Sequence, residues 1–319
     1  MRGGRLLGVI LVAVAMALTA LSAPAVAGAS IGSDGATRAG APPVVRLVVG
    51  APQQLRRPLP HQATFAYGAD PAQRFDAYWP DAPAGGRQPG ILLLHGGYWF
   101  GGDKTHWRGI ARRLAARGYA VFAANYRLST RAAWPAQRDD AVAALGYIQR
   151  QAGRFQLDPD RMVVLGSSAG GQLATVLGAT GGYRVRGVVG LSPVNSLFLA
   201  YVDGGRETAT GPQRKLRRAV TQLVGCRPTG LVTAPCLDRM GQATPHVTAA
   251  AVPMLLIHSR GDFVPSGHST MVRDALARIG LTADVKLLAG SAHGGDLLRL
   301  PRVYRTMLAW IDAVTGGQA

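Results

Sequence analysis

Two adjacent serines end an apolar run in Gly166-Ser167-Ser168-Ala169-Gly170. The five residues fit G-x-S-x-G, with Ser168 central. In that pattern a strand turns sharply into a helix, and small residues must flank the turn. The central hydroxyl is lifted off the sheet with a helix N-terminus behind it. Ser167 occupies the variable position, and its side chain is expected to point elsewhere. Alone, the motif also suits a Gly/Ser-rich turn or a phosphate-binding loop. A serine becomes a nucleophile beside a base, and the base needs a carboxylate to orient it. Asp262 in "LLIHSRGDFVP" and His293 in "LLAGSAHGGD" each follow an apolar run. The chain order serine, acid, histidine is the one expected in this strand-turn-helix context.

Acyl transfer also needs donors aimed at a developing oxyanion, and backbone N–H groups are the usual source. "HGGYWFGGDK" offers bare backbone at Gly96 and Gly97, and the N–H of Ala169 is a further donor. Tyr98 and Trp99 are candidate walls of the substrate pocket; for Trp99, plain packing is an equal alternative. His95 is expected to brace this loop rather than to act as the base. The other candidates fit less well. His258 falls inside or at the end of a strand, and His268 at a helix start. Asp296 follows His293 too closely to reach round its ring and is read as a helix N-cap.

These residues need a scaffold that gathers strand ends. "RFDAYWP" alternates as a strand and stops at Pro80, and "ILLLHGG" has the continuous apolar character of a buried parallel strand. A helix over "KTHWRGIARRLAARG", a strand "YAVFAANYRL" and a long helix "AQRDDAVAALGYIQRQAGRF" come next. The strand "RMVVLGSS", the helix "GGQLATVLGAT" and the strand "VRGVVGLSP" follow. The rhythm implies right-handed crossovers and a mostly parallel sheet flanked by helices. Residues 195–245 break it, show no clear period and are read as a cap insertion. The alternation resumes with the strand "VPMLLIHS", a helix near "GHSTMVRDALARIG", the strand "ADVKLL" and a final helix "GDLLRLPRVYRTMLAWIDAV". The domain is expected to span 61–319.

The N-terminus reads as a targeting segment. Arg2 and Arg5 precede the apolar run Leu6 to Leu21, and Ala25-Val26-Ala27 is a small-x-small cleavage site. The run is short for a membrane span, which takes about 20 residues. The expectation is a signal peptide over 1–27, an exported mature protein in the medium or envelope, and no membrane span after processing. Residues 28–60, rich in Ala, Gly, Pro and Ser, read as a linker with a possible strand at "VVRLVV".

The hydrophobic fraction of 48% is that of a chain with a full core and excludes a disordered protein. The formal charge is +18, carried by 32 Arg and 3 Lys against 16 Asp and one Glu, Glu207. The bases are scattered, so no nucleic-acid partner is read, although the field would attract anions. The densest cluster is Arg214, Lys215, Arg217 and Arg218. Cys226 and Cys236 are close in sequence and even in number, which in an exported chain suggests one disulfide. No CxxC or His pair accompanies them, so no metal site is expected.

The chain resembles the secreted bacterial carboxylesterases of the α/β-hydrolase superfamily. Within it, the chain is similar to the branch with HGGxW loops that includes feruloyl- and acetyl-esterase-like enzymes and kynurenine formamidase. "FAYGADPAQRFDAYWP", "ILLLHGGYWFGGDK", "AANYRL", "PAQRDDAVAAL", "DPDRMVVLGSSAGG", "GDFVP" and "SAHGGD" carry the resemblance, over about 62–315. It implies an α/β-hydrolase fold and a serine carboxylic-ester hydrolase acting on a small-molecule ester through Ser168, Asp262 and His293. Gly96, Gly97 and Ala169 would hold the oxyanion. No metal or cofactor is implied. By the same resemblance Arg127 and Asp140 are structural. Tyr98 departs from the third glycine of many such esterases, and the cap segment matches no family motif. An exported peptidase or amidase of the same fold is the alternative enzyme reading; a polyanion-binding protein is the non-enzymatic one.

Overall fold

The short apolar runs form one eight-stranded sheet in the computed structural model, which describes residues 60–82, 86–227, 234–242 and 244–317. The strands are β1 (His61–Ala66), β2 (Arg74–Trp79), β3 (Gln88–Leu94), β4 (Ala120–Ala124), β5 (Leu157–Ser167), β6 (Gly187–Leu191), β7 (Met254–Ser259) and β8 (Ala283–Leu288). Their order is β1-β2-β4-β3-β5-β6-β7-β8. β1 and β2 pair antiparallel, as do β2 and β4; every other neighbouring pair is parallel. The segments read as signal peptide and linker lie, up to residue 59, outside the described residues.

Alternation along the strands splits the core between two faces. Leu92, Leu94, Met162 and Val164 join one apolar cluster; Ile91, Leu93, Val163 and Leu165 join another. Helices α1 (Arg108–Ala115), α2 (Ala136–Arg150) and α3 (Ala169–Thr180) come from the first half of the chain. Between β6 and β7 the described residues form α4 (Leu197–Asp203), α5 (Gly211–Val224) and α6 (Ala234–Gln242). α7 (Gly267–Ala277) and α8 (Pro301–Thr315) follow β7 and β8. α2, α3 and α7 cover the first face, and α1 and α8 the second. None of the helices among the described residues is long and apolar enough to cross a membrane.

Three differences from the sequence reading have physical causes. β1 was not read as a strand because it is an edge, with a half-exposed pattern and pairing on one side only. The last expected helix is broken by Pro301, which lacks the N–H a continuing helix needs. A 3-10 turn, Gly294–Arg299, precedes it, and the proline opens α8 instead. The described residues of the insert at 195–245 are largely helical rather than aperiodic. In α5, Leu216, Ala219, Val220, Leu223 and Val224 are buried at helical spacing, capped by Thr210 with Gln213 in a capping box. The dense basic residues between them hid that stripe. Cys226, just past α5, and Cys236 in α6 form the expected disulfide.

The parallel strands aim their carboxyl ends at one edge. The chain leaves β3 toward β4 on one side, while β5 continues on the other. Crevices for ligands form where strand order reverses in this way.

Candidate active site

Ser168 is the hinge between β5 and α3. Its φ of 53° and ψ of −114° are strained for a residue with a side chain, a cost of about 1–3 kcal/mol. The flanking glycines are steric necessities. A Cβ on Gly166 would stand 2.0 Å from the Gly170 carbonyl oxygen, and one on Gly170 2.3 Å from that of Leu94. The turn is fixed by the Ser168 N–H, which donates to the Leu191 carbonyl at 2.8 Å, and by the Gln172 N–H, which donates to the Ser168 carbonyl at 3.0 Å. Ser167 is held differently. Its hydroxyl oxygen accepts from the Gly295 N–H at 2.9 Å, which ties β5 to the loop after β8.

Asp262, past the end of β7, lies 2.8 Å (Oδ1) and 3.1 Å (Oδ2) from Nδ1 of His293, past the end of β8. An ionised carboxylate can only accept, so Nδ1 carries the proton and Nε2 is left basic. Asp262 has two further donors: the Ser192 hydroxyl to Oδ2, and the Val264 N–H to Oδ1 at 3.0 Å. Burial works against its charge, yet the His293 hydrogen bond and positive field, with Ser192 and Val264, bring the carboxyl below its usual range. The Phe263 ring packs 4.2 Å, centroid to centroid, from that of His293.

Ser168 and His293 line one cavity of about 690 Å³, together with Gly96, Gly97 and Tyr98. Asp262 stands behind His293 and is not part of the lining. Ala169, the first residue of α3, is fully buried. The loop after β3 needs unusual backbone. Gly97 has φ of 126°, and a Cβ there would meet the Gly101 carbonyl oxygen at 2.3 Å. Tyr98 and Trp99 follow at φ of 58° and 59°, in the left-handed region where side chains are disfavoured. Packing holds both. The Tyr98 ring stacks with Phe100 at 5.6 Å and Phe263 at 6.1 Å. Trp99 is wholly buried, donates its indole N–H to Gln172 at 3.0 Å and packs among the helices of the insert. It does not line the cavity, so of its two expected roles the structure gives it packing, not the pocket wall.

His95 braces the loop. It is buried, stacks on Tyr126 at 4.4 Å and sits with Nδ1 2.9 Å from the Gly96 carbonyl. Burial pushes its pKa down to about 4, so it is neutral. Burial also lowers His258, inside β7, to about 4 and His268, at the start of α7, to about 3. Asp296 is not an N-cap: it lies within the 3-10 turn and pairs with Arg299 at 3.1 Å. Arg127 and Asp140 form a buried-ended ion pair at 2.7 Å, which also receives Gln73.

Sequence reasoning missed Ser192. It is fully buried, gives its hydroxyl proton to Asp262 and accepts from the Gly294 N–H at 3.0 Å. One side chain thus joins the ends of β6, β7 and β8. The available signal was a serine just past β6, the strand between those carrying Ser168 and Asp262. His258 was dismissed as a strand residue, yet its Nδ1 lies 3.1 Å from the Val264 carbonyl. It thereby supports the loop that carries Asp262.

The family model BD-FAE matches residues 75–276, more than half of the chain. The chain belongs to the BD-FAE family. Among curated relatives of this BD-FAE chain, esterase LipC of Mycobacterium tuberculosis is 28% identical over 254 residues, covering 75% of this chain and 60% of the relative. A probable isoprenylcysteine alpha-carbonyl methylesterase, ICMEL1 of Arabidopsis thaliana, is 25% identical over 271 residues, covering 75% and 52%. The chain thus spans about half to three fifths of the length of these relatives. Among solved structures, esterase B from Lactobacillus rhamnosis superposes with a TM-score of 0.66 at 23% identity, over 82% of this chain and 87% of that one. That likeness gives the fold: this BD-FAE chain has the α/β-hydrolase fold.

Proposed function

We propose that the protein hydrolyses carboxylic esters through an acyl-enzyme formed on Ser168. The observation that carries this is the His293–Asp262 hydrogen bond at a cavity that also holds the strained Ser168. The esterase names of the relatives support the same reaction class.

In this reading Nε2 of His293 takes the Ser168 proton as the hydroxyl attacks the ester carbonyl. The negative charge that develops on the carbonyl oxygen meets the N–H groups of Gly97 and Ala169, with Gly96 beside them. Asp262 holds the imidazole in the needed tautomer and stabilises the cation that forms. His293 returns the proton to the leaving alcohol. Water, activated by the same imidazole, then attacks the acyl carbon and releases acid and Ser168. Short acyl chains or small aryl esters are the proposed substrates, because Tyr98 adds bulk beside the reacting centre.

The test is hydrolysis of 4-nitrophenyl acetate, butyrate and octanoate by wild type, Ser168→Ala and Ser167→Ala. Ser168→Ala should lose about 10⁴-fold or more in kcat. Ser167→Ala should stay within about tenfold, losing one hydrogen bond to Gly295. Activity that survives in Ser168→Ala would overturn the mechanism; a preference for octanoate would overturn the substrate size.

A further inference from the structure

We propose that the cavity selects esters that also carry a carboxylate, and that Arg113 holds that group. This rests on the hydrolase reading above and names its substrate class.

The cavity extends from Ser168 and His293 along α1 and the 3-10 turn that follows His293. Trp107, Ile110 and Leu298 give it an apolar wall. The same lining carries Arg113, Arg299 and one carboxylate, Asp296. Arg299 and Asp296 pair with each other at 3.1 Å, which leaves that pair neutral as a unit. Arg113 has no carboxylate partner among the described residues. Its guanidinium carbon lies instead 3.9 Å above the centre of the Tyr304 ring. A guanidinium stacked this way uses its face on the ring and keeps its in-plane N–H groups for a ligand. The stacking also fixes the plane of the fork, so less freedom is lost when a carboxylate binds.

The cavity lining therefore combines a nucleophile, an apolar wall and a cation with no carboxylate partner among the described residues. A matching ligand has an ester, an apolar spacer and an anionic, acceptor-rich end. The strongly positive chain raises the local concentration of such anions.

The experiment compares kcat/KM for two charged and neutral ester pairs at low salt. 4-Nitrophenyl hemiglutarate against 4-nitrophenyl valerate places the charge on the acyl side. 4-Acetoxybenzoate against its methyl ester places it on the alcohol side. In one pair the anionic ester should be preferred by about tenfold. Arg113→Gln should abolish that preference and leave the neutral ester unchanged; Arg113→Glu should reverse it. The unchanged neutral-ester rate also shows that the variants fold. Preference for the neutral ester in both pairs, or equal effects of Arg113→Gln on both members, overturns the proposal. If no ester is hydrolysed, the hydrolase reading has failed separately. Calorimetric binding of 4-phenylbutyrate against 4-phenylbutanol then decides: Arg113-dependent selectivity for the acid supports the anion site, and equal or absent binding overturns it.

Discussion

The loop after β3 and the insert between β6 and β7 pack together at Tyr98 and Trp99, yet the strand-end loops and the insert are specified in different ways. The loops are specified by backbone. Ser168 and Gly97 occupy conformations few residues tolerate, and Gly166 and Gly170 stand where a Cβ would strike a neighbouring carbonyl. The insert is specified by side-chain packing. α5 turns an apolar stripe inward, and the basic cluster serves to dock it. Arg217 donates to the Tyr201 carbonyl at 2.7 Å while stacking on its ring, Arg214 donates to the Ala209 carbonyl, and Lys215 sits 4.6 Å above the Tyr98 ring. Chemistry is thus held by rules one residue wide, and its surroundings by rules spread over a helix face.

The comparison breaks hardest at Ser192. Ser192→Ala removes a donor from Asp262 and leaves the Gly294 N–H without its acceptor. It should lower kcat about 10–100-fold with little change in KM, as misplacement of a supporting group does. A pH–rate profile separates the roles: loss of support for the Asp262 charge should move the acid limb upward. An unchanged kcat would place the coupling of the strand ends elsewhere.

Next comes acid. The two regions share buried neutral imidazoles: His95 beneath the loop after β3, His258 beside the Asp262 loop, and His268, whose Nδ1 accepts from the Ser196 N–H where the insert begins. Their folded pKa values lie below 6.5, so the unfolded chain binds more protons below that pH. Stability should be full above pH 6.5 and fall as pH drops toward 4, by at most about 1.4 kcal/mol per pH unit per histidine. Thermal melts from pH 8 to 4.5 check this. A flat Tm across that range would mean that these imidazoles protonate without unfolding.

The smallest effect belongs to the insert alone. The Cys226–Cys236 loop is short, so replacing both with serine should cost about 2–3 kcal/mol at most. It should raise KM a few-fold and leave kcat within about twofold, because neither cysteine touches the strand ends. A kcat loss equal to that of Ser192→Ala would erase the distinction between the two regions.

The same contrast explains what could be read from the sequence. The strand-turn-helix context of Ser168, the order of Asp262 and His293, and most strands were legible because each is a local pattern with few physical solutions. The disulfide was legible from spacing and number. Ser192 was not, because its partners lie 70 and 102 residues away in the chain. Nor was the role of Trp99, which depends on Gln172 one turn into α3 and on the helices of the insert. α5 was hidden because its polar face is dominated by arginines whose contacts appear only after folding.

Tyr98 and Trp99 pass through the left-handed region with bulky side chains, held there by Phe100, Phe263, Gln172 and the insert. The insert is therefore not an interchangeable cassette on a finished scaffold. Transplanting another helical segment between β6 and β7 would strip Trp99 of its surroundings and free the loop to relax toward ordinary backbone. Residues 98 and 99 and the inner face of α5 thus act as one packing unit, in which a substitution on one side calls for a matching change on the other.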